Sequence, residues 1–302
     1  MKKSGIFLVN KPQDITSNDL IQKIKTKFNI KKIGHAGTLD PLATGLMVVL
    51  VNQATKVSNY LLNADKTYKV EMQLFVRTDS GDISGNEIEI EEFRKISKKE
   101  VLEVAKKYNG YMYDQYPPIY SAIKVNGKKL YEYARKNQDV EITPKTVTIS
   151  SCEILDINTK QGTISFIMSC SKGTYVRSFV NDFAKDLGTI ATVSKLERTK
   201  SGEFDLTQAK NIEDLEEKDL LSMYDALMQN KQTLIEYHKI KDIMQGKTIT
   251  VIGRSEPIIF LVDDKKNVTA VYRWVAKELY ACQRGLWDED WAEGLSEAER
   301  EL

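Results

Sequence analysis

The sequence predicts an α+β fold in which a large unit of interleaved strands and helices precedes a small β-rich unit. Three observations lead to this fold class. Residues 68–76 alternate between two faces, as in a half-buried strand. Residues 175–187 place apolar side chains at helical spacing, before a glycine suited to end a helix. Past about residue 225 the pattern changes to short strands, at 248–252, 257–262 and 268–273.

The other elements of the large unit follow from periodicity and turn residues. A strand at 5–9 stops near Pro12, because proline lacks the amide hydrogen that a sheet needs. A helix follows it, capped by Thr16 or Ser17, with apolar residues recurring up to Phe28. Further predicted elements are a glycine-rich loop at 33–45, strands at 46–51, 119–125, 146–156 and 163–170, a helix at 97–108, a turn at Asn126-Gly127 and a basic helical stretch ending at Arg135.

Length sets the predicted domain organisation. At about 100–200 residues per domain, 302 residues accommodate a large and a small domain. We place the large domain at 1–228 and the small one at 229–287, followed by an acidic tail at 288–302. Hydrophobic residues at 41% and charged residues at 29% are typical of a folded globular chain.

Composition excludes several classes of protein. Three widely spaced cysteines and two histidines argue against a disulfide framework and a metal site. No apolar run approaches the roughly 20 residues of a membrane span, and the N-terminal apolar stretch is too short for a signal peptide. We therefore expect a cytoplasmic protein that contacts no membrane.

The net charge of +1 conceals an uneven distribution. The last 15 residues hold seven acidic residues and one basic, so residues 1–287 carry a net charge of +7. Residues 121–136 contain five basic residues and one acidic, with Tyr131 and Tyr133 between them. Such a composition suits an RNA backbone and stacked bases, although many lysines are merely solvated.

The most informative loop is 34–45, with three glycines and a proline directly after Asp40. Glycines permit tight turns and close approach to a ligand, so this loop is suited to present Asp40 rigidly. A second candidate is Arg177, placed in the first turn of a predicted helix, where the dipole disfavours a cation. A carboxylate partner explains that position, and a bidentate pair with Asp40 is expected to lower the pKa of Asp40. Tyr68 is suited to present its ring to a base.

Each of these residues also has an ordinary structural interpretation. On composition alone, the loop is a surface turn, Arg177 is a solvated arginine and Tyr68 is a core tyrosine.

The residues in combination resemble a known family. The stretch 34–49, GHAGTLDPLATGLMVV, is similar to the catalytic motif of the TruB family of tRNA pseudouridine synthases. The similarity runs from about residue 5 to 205. Further matching segments are VNKP (9–12), ADKTYKV (64–70), TDSGDISG (78–85), PPIYSAIKVNGKKLYEYAR (117–135), CSKGTYVRS (170–178) and LERTKSGEF (196–204).

The resemblance assigns roles to individual residues. It implies that Asp40 is the catalytic carboxylate, that Tyr68 stacks on the target base and that Arg177 pairs with Asp40. Phe75 departs from the family pattern, since glycine is expected there, and Asn181 departs where arginine is common. The implied substrate-binding residues are His35, associated with nucleotide flipping, Lys11 of a Lys-Pro motif, Leu196 in the pocket wall, and the loop cations Lys124 and Lys172.

The resemblance also implies the activity. It is isomerisation of the T-loop uridine at position 55 of tRNA to pseudouridine, by a monomer that needs no cofactor and no metal. Asp40 attacks the sugar, attacks C6 of the base, or assists removal of a ribose proton; these routes stay open. The implied fold has a mixed, mainly antiparallel sheet flanked by helices and a small C-terminal PUA-like RNA-binding domain. The alternative is a non-catalytic RNA-folding chaperone or RNA-binding module, since the RNA surfaces can act without chemistry.

Overall fold

The computed structural model describes residues 1–62, 64–136, 138–287 and 289–295. It confirms the predicted α+β fold: a nine-stranded mixed sheet with helices packed on it, and a separate five-stranded sheet near the C-terminus. The helices are α1 Ser17–Lys27, α2 Ser58–Leu62, α3 Lys98–Lys107, α4 Leu130–Ala134, α5 Val176–Asp186, α6 Met223–Gln229, α7 Ile240–Met244 and α8 Glu289–Glu293. The strands of the large unit are β1 Gly5–Lys11, β2 Ile33–His35, β3 Thr44–Val51, β4 Lys66–Leu74, β5 Val76–Thr78, β6 Glu87–Ile90, β7 Tyr111–Gln115, β8 Lys124–Val125, β9 Lys128–Lys129, β10 Lys145–Asn158, β11 Thr163–Cys170, β12 Ala191–Ser201 and β13 Phe204–Asp205. The strands of the small sheet are β14 Leu234–Glu236, β15 Ile249–Thr250, β16 Ile258–Val262, β17 Val268–Ala276 and β18 Leu279–Gly285.

The large sheet brings distant parts of the chain side by side. Its strand order is β1-β3-β12-β4-β11-β10-β7, with β2 beside β3 and β13 beside β12. Between these described strands the pairing is antiparallel except where β12 lies parallel to β3. The parallel contact places Glu197 opposite Thr44. The start of β3 and the middle of β12 therefore meet at the centre of the sheet.

Helices α1 and α5 of the large unit start and pack as the sequence predicts. Thr16 caps α1, where its hydroxyl accepts from the Asp19 amide and the Asp19 carboxylate accepts from the Thr16 amide. This reciprocal arrangement satisfies amides that a helix start leaves unpaired. On α5, the apolar face is buried and Gly188 follows the helix with φ of +70°. Glycine adopts that conformation without strain.

Among the described residues the core has three apolar clusters, of which the smallest lies within the small C-terminal unit and the two larger contact the large sheet. One of the two larger clusters lies between the large sheet and helices α1, α3 and α5, and includes Phe166, Phe179 and Phe183. The other joins β1 and β3 to the small sheet through side chains such as Val48 and Phe260. The two sheets therefore share buried apolar surface.

Two predicted strands differ in extent from the expectation. A strand is predicted at 119–125, but only Lys124–Val125 pairs; within that range the Tyr120 carbonyl accepts from the Arg177 side chain of α5 instead of from a neighbouring strand. The strand at 68–76 stops at Leu74, where Phe75 adopts φ of +68°. That is the left-handed region, in which a side chain is strained, so the expectation of glycine at this position has a physical basis.

The C-terminal part contains the predicted short strands and two additional ones, β14 and β18. Of the predicted acidic tail at 288–302, residue 288 and residues 296–302 lie outside the described residues. The Trp291 indole of α8 donates to the Asp263 carboxylate at 2.9 Å. No helix in the described ranges is long and apolar enough to span a membrane.

Candidate active site

Asp40 lies on the segment between β2 and β3, and two contacts fix that segment. The Ser17 hydroxyl accepts from the Leu39 amide at 2.8 Å and donates to the Leu39 carbonyl at 2.9 Å. At the start of β3, Gly45 has φ of +99°, and a Cβ there would lie 2.4 Å from the Arg198 carbonyl oxygen. Only glycine fits such a close crossing of two strands. Asp40 therefore projects from a loop with little freedom.

Lys11 forms hydrogen bonds with the backbone of the same loop. None of its surface is exposed, and burial lowers its pKa to about 8. The position does not support the predicted substrate contact, because the ammonium group donates its hydrogen bonds to backbone carbonyls on either side of Asp40 and in the Lys-Pro motif. It donates to the carbonyl oxygens of Pro12 at 2.8 Å, Pro41 at 3.1 Å and Ala43 at 2.6 Å.

Arg177 makes the predicted ion pair with Asp40. Its Nε lies 2.9 Å from Asp40 Oδ2, and its side chain is buried in the first turn of α5. The expected bidentate geometry is wrong. The Nη1 atom donates to the Ser80 carbonyl at 2.7 Å and Nη2 to the Tyr120 carbonyl at 2.9 Å, so a single nitrogen is left for Asp40. The guanidinium therefore ties three segments of the chain to one point.

The pKa of Asp40 is shifted in the direction opposite to expectation. Burial raises the pKa of Asp40 above its ordinary value, and the Arg177 guanidinium opposes this only in part. Repulsion from Asp82 raises the pKa further. The carboxylate keeps 38% of its side-chain surface open, and that surface faces a recess instead of bulk water. A carboxylate in such a place is more basic and less hydrated than one at the surface.

The recess is a cavity of about 520 Å³. Asp40 and Arg177 line it together with Tyr68 of β4 and Leu196 of β12, both of which are nearly buried. Burial raises the pKa of Tyr68, so its hydroxyl stays protonated at neutral pH. An aromatic wall, an apolar wall and a charged pair thus converge on one space. Further lining residues are Lys66, Tyr120, Tyr131, Lys172 and Tyr175.

Arg198 is a part of this cavity that the motif analysis does not place there. It lies opposite Tyr68 in the β4–β12 register, is 1% exposed, and its positive charge opposes the rise in the pKa of Tyr68. Its guanidinium also donates to the Leu46 carbonyl at 2.8 Å and the Gly37 carbonyl at 3.1 Å, one on each side of Asp40. The signal available in the sequence is spacing, because alternate residues on a strand share a face and Arg198 follows Leu196 by two.

Comparison with known proteins decides the family. Residues 25–176 match the family described as TruB family pseudouridylate synthase, N terminal domain. The chain belongs to the TruB family of pseudouridylate synthases.

Relatives of this TruB-family protein match along nearly the whole chain. One from Mycoplasma capricolum subsp. capricolum, named tRNA pseudouridine synthase B, is 49% identical over 285 residues, which are 94% of this chain and 98% of the relative. Another of the same name, from Mycoplasma mycoides subsp. mycoides SC, is 46% identical over the same shares. A chain in the crystal structure of a Cbf5-Nop10-Gar1 complex has a TM-score of 0.71 at 21% identity, covering 95% of this chain and 86% of that one. This last likeness shows the fold alone.

The structure brings most of the predicted site residues of the TruB-family protein together. Lys172 joins Asp40, Tyr68, Arg177 and Leu196 around the cavity. Within the described ranges, no group of three or more histidine, cysteine or acidic side chains is placed to hold a metal ion.

His35 lies on β2, outside the cavity lining. Burial and the nearby Arg198 lower the pKa of His35, so its imidazole is neutral at pH 7. Its buried Nδ1 makes no hydrogen bond to any described residue.

Lys124 lies on a small hairpin beside the cavity. The predicted turn is present, with φ of +50° at Asn126 and +81° at Gly127 between β8 and β9. Downstream of this turn, the ring of Tyr131 lies 5.2 Å from Lys129 Nζ and 5.4 Å from the Arg135 guanidinium. The hairpin and the α4 segment that follows it therefore place cations around an aromatic ring at the rim of the cavity of the TruB-family protein.

Proposed function

We propose that this protein isomerises a uridine of tRNA to pseudouridine, with Asp40 as the catalytic carboxylate. The observation that carries the proposal is the buried Asp40–Arg177 pair in a cavity walled by Tyr68 and Leu196, in a chain of the TruB family. Relatives named tRNA pseudouridine synthase B support tRNA as the substrate.

The chemistry of the reaction matches what this cavity offers. Isomerisation breaks the bond between N1 of uracil and C1′ of ribose, turns the base and joins C1′ to C5; a proton leaves C5 and one is gained at N1. A carboxylate of raised pKa is suited to act as base or nucleophile at the sugar or base. A ring and an aliphatic wall hold the detached base while it turns. No redox step occurs, so the residues themselves supply the chemistry.

The decisive experiment measures release of tritium from uridine labelled at C5 in a T-arm RNA. Pseudouridine formation releases that label, whereas a purely RNA-binding protein leaves it in place. An RNA with cytidine at the target position controls for release elsewhere. We expect stoichiometric release from the uridine RNA alone, and its absence with folded, RNA-binding wild-type protein would refute the proposal.

The ring and hydroxyl of Tyr68 are expected to contribute separately. Tyr68→Phe keeps the stacking surface, so RNA affinity should stay near wild type while the single-turnover rate falls about 10²-fold, the scale of a lost proton-transfer group. Tyr68→Ala should react more slowly still, because the base loses its wall. Tyr108→Phe, which removes a hydroxyl that donates to the Asp186 carboxylate outside the cavity lining, serves as the control. Full activity in both Tyr68 variants would leave Tyr68 only a packing role.

Activity is expected to depend on the ionisation of Asp40. Because burial raises the pKa of Asp40, the reactive carboxylate is protonated at a higher pH than an ordinary aspartate. The single-turnover rate should therefore fall as the pH is lowered, and the fall should begin above the ordinary pKa of about 3.9. Circular dichroism at each pH controls for acid unfolding. A rate that is constant down to the onset of unfolding would contradict this assignment.

We propose further that the target is uridine 55 in the T-arm, bound by a monomer in the cytoplasm. The basic hairpin, Lys172 and the neutral His35 beside the loop suit a folded RNA arm whose bases must be extruded. In this proposal residues 1–228 catalyse and residues 229–287 bind RNA. Within the described ranges, the separate small sheet supports that division.

A further inference from the structure

Gln115, the last residue of β7, forms hydrogen bonds with both the backbone amide and the backbone carbonyl of one cavity residue, Tyr175. It is 2% exposed. Its Oε1 accepts from the Tyr175 amide at 2.8 Å, and its Nε2 donates to the Tyr175 carbonyl at 3.2 Å. The same Nε2 donates to the Tyr113 hydroxyl at 2.8 Å. Both amide hydrogens and the oxygen are therefore engaged, so a rotation of the amide would break all three bonds.

Tyr175 is the residue through which this contact reaches the active site. It is the N-cap of α5, and its own side chain makes no capping bond. Its carbonyl accepts the first helical hydrogen bond, from Phe179 at 3.0 Å. Its side chain lines the cavity, and Arg177 lies two residues further along the helix. The position of the Tyr175 backbone thus sets where one wall of the cavity lies and where Arg177 begins.

The hydrogen bonds continue to a second point on α5. The Tyr113 hydroxyl, which accepts from Gln115, donates to Asp182 Oδ2 at 3.1 Å. Strand β7 is therefore joined to the first residue before α5 and to its middle. This two-point attachment fixes both the position and the rotation of the helix that carries Arg177.

We propose that Gln115 is a positioning residue, which orients Tyr175 and Arg177 around the bound uridine and so controls the rate of the chemical step without controlling RNA affinity. The inference rests on the proposed function. The expected effect on rate follows from the sensitivity of catalysis to geometry, since displacement of a reacting group by about 1 Å lowers the rate about 10²-fold. RNA affinity depends instead on the many phosphate and stacking contacts outside this network.

A matched pair of amides separates positioning from general stabilisation. Asn109, just before β7, holds Cys152 in the same way: its Oδ1 accepts from the Cys152 amide at 2.8 Å and its Nδ2 donates to the Cys152 carbonyl at 3.4 Å. That contact is at the opposite end of β7 from Gln115 and outside the cavity lining. Gln115→Ala and Asn109→Ala therefore remove similar hydrogen bonds, but only those of Gln115 reach a residue that lines the cavity.

We expect Gln115→Ala to lower kcat for tritium release by about 10- to 100-fold, with KM and the Kd for T-arm RNA within about threefold of wild type. Asn109→Ala should keep kcat within about twofold. Thermal unfolding of each variant confirms that the comparison is between folded proteins. A Gln115→Ala variant with wild-type kcat, or one whose loss lies in Kd, would overturn the positioning role.

Gln115→Glu supplies a second test that does not depend on the alanine variant. An ionised glutamate accepts from the Tyr175 amide but cannot donate to the Tyr175 carbonyl, whereas a protonated one does both. The ratio of its rate to the wild-type rate should therefore rise as the pH falls, because the common effect of Asp40 cancels. The charged and titratable groups near position 115 are Tyr113 and Asp114 on β7, Tyr175, Arg177 and Asp182 on or before α5, and Lys145 opposite on β10.

The outcomes distinguish failure of the positioning role of Gln115 from failure of the proposed function. A ratio that stays flat with pH would overturn the requirement for a donor at position 115. Folded wild-type protein without tritium release would refute the proposed function, whereas active wild type with equally active Gln115 variants would refute the positioning role alone.

Discussion

Replacing Asp40 with asparagine is expected to lower the rate of pseudouridine formation by about 10³-fold or more, the scale of a lost acid–base or nucleophilic group. Asparagine has nearly the same shape and still accepts a hydrogen bond from Arg177. The loop should stay in place, because its contacts from Ser17 and Lys11 use backbone atoms. The variant should therefore unfold like wild type and bind T-arm RNA with similar affinity, while losing the ionisable oxygen that the reaction needs.

Single-turnover tritium release and RNA binding, measured on the same preparations, check this expectation. Asp114→Asn is a matched control, since Asp114 is an exposed carboxylate that accepts from the Thr146 hydroxyl outside the cavity lining. It should react at the wild-type rate. Near-normal turnover by Asp40→Asn would remove Asp40 from the catalytic role, and loss of RNA binding in parallel with activity would show that Asp40 acts through binding.

Arg177→Lys is expected to lower kcat by about 10²-fold despite keeping a positive charge. An ammonium group is a point charge, whereas the guanidinium uses Nε for Asp40 and its two other nitrogens for the Ser80 and Tyr120 carbonyls. Lysine cannot make these three interactions at once. Asp40 therefore loses a partner of fixed orientation, and the Ser80 and Tyr120 carbonyls lose their hydrogen bonds to position 177. Buried charged hydrogen bonds of this kind contribute about 1.5–3 kcal/mol each, so the free energy of unfolding should fall as well.

Arg94→Lys tests whether the loss at position 177 reflects catalysis or only stability. Arg94 also donates to two backbone carbonyls, those of Leu187 and Gly188, but lies outside the cavity lining. We expect it to reduce the free energy of unfolding while leaving kcat unchanged. The interpretation fails if Arg177→Lys turns over at the wild-type rate with saturating RNA, or if both lysine variants lose kcat equally.

The sequence predicts the chemical groups of the site better than their geometry. Motifs are sufficient to select Asp40, Tyr68 and Arg177, because each stands in a local pattern that a single segment carries. The bidentate pair is wrong because the Ser80 and Tyr120 carbonyls, from distant segments, accept from two nitrogens of Arg177. The lowered pKa of Asp40 is wrong because burial, with repulsion from Asp82, raises the pKa more than Arg177 lowers it. Pairwise reasoning between two motifs cannot include such third partners.

The same limit explains Lys11 and Gln115. A lysine beside a catalytic loop suggests RNA contact by charge alone, and its complete burial depends on how β1 and the Asp40 loop pack. Gln115 has no motif of its own, and its contacts join β7 to a helix 60 residues later. Phe75 shows the opposite case, since a local departure from an expected glycine coincides with a left-handed φ in the structure. The resemblance to the family indicates this local backbone demand, whereas it does not indicate the partners of a buried polar group.

The parallel contact between β12 and β3 determines when the site can form during folding. Glu197 pairs with Thr44 across some 150 residues, and β12 also separates β3 from β4 in the sheet. Closing such a loop costs conformational entropy before its contacts form, so this pairing belongs to the slow part of folding. Leu196 and Arg198 lie on β12. A chain in which β12 has not joined the sheet therefore has neither the apolar wall nor the guanidinium that holds the Asp40 loop, so the site requires this long-range pairing.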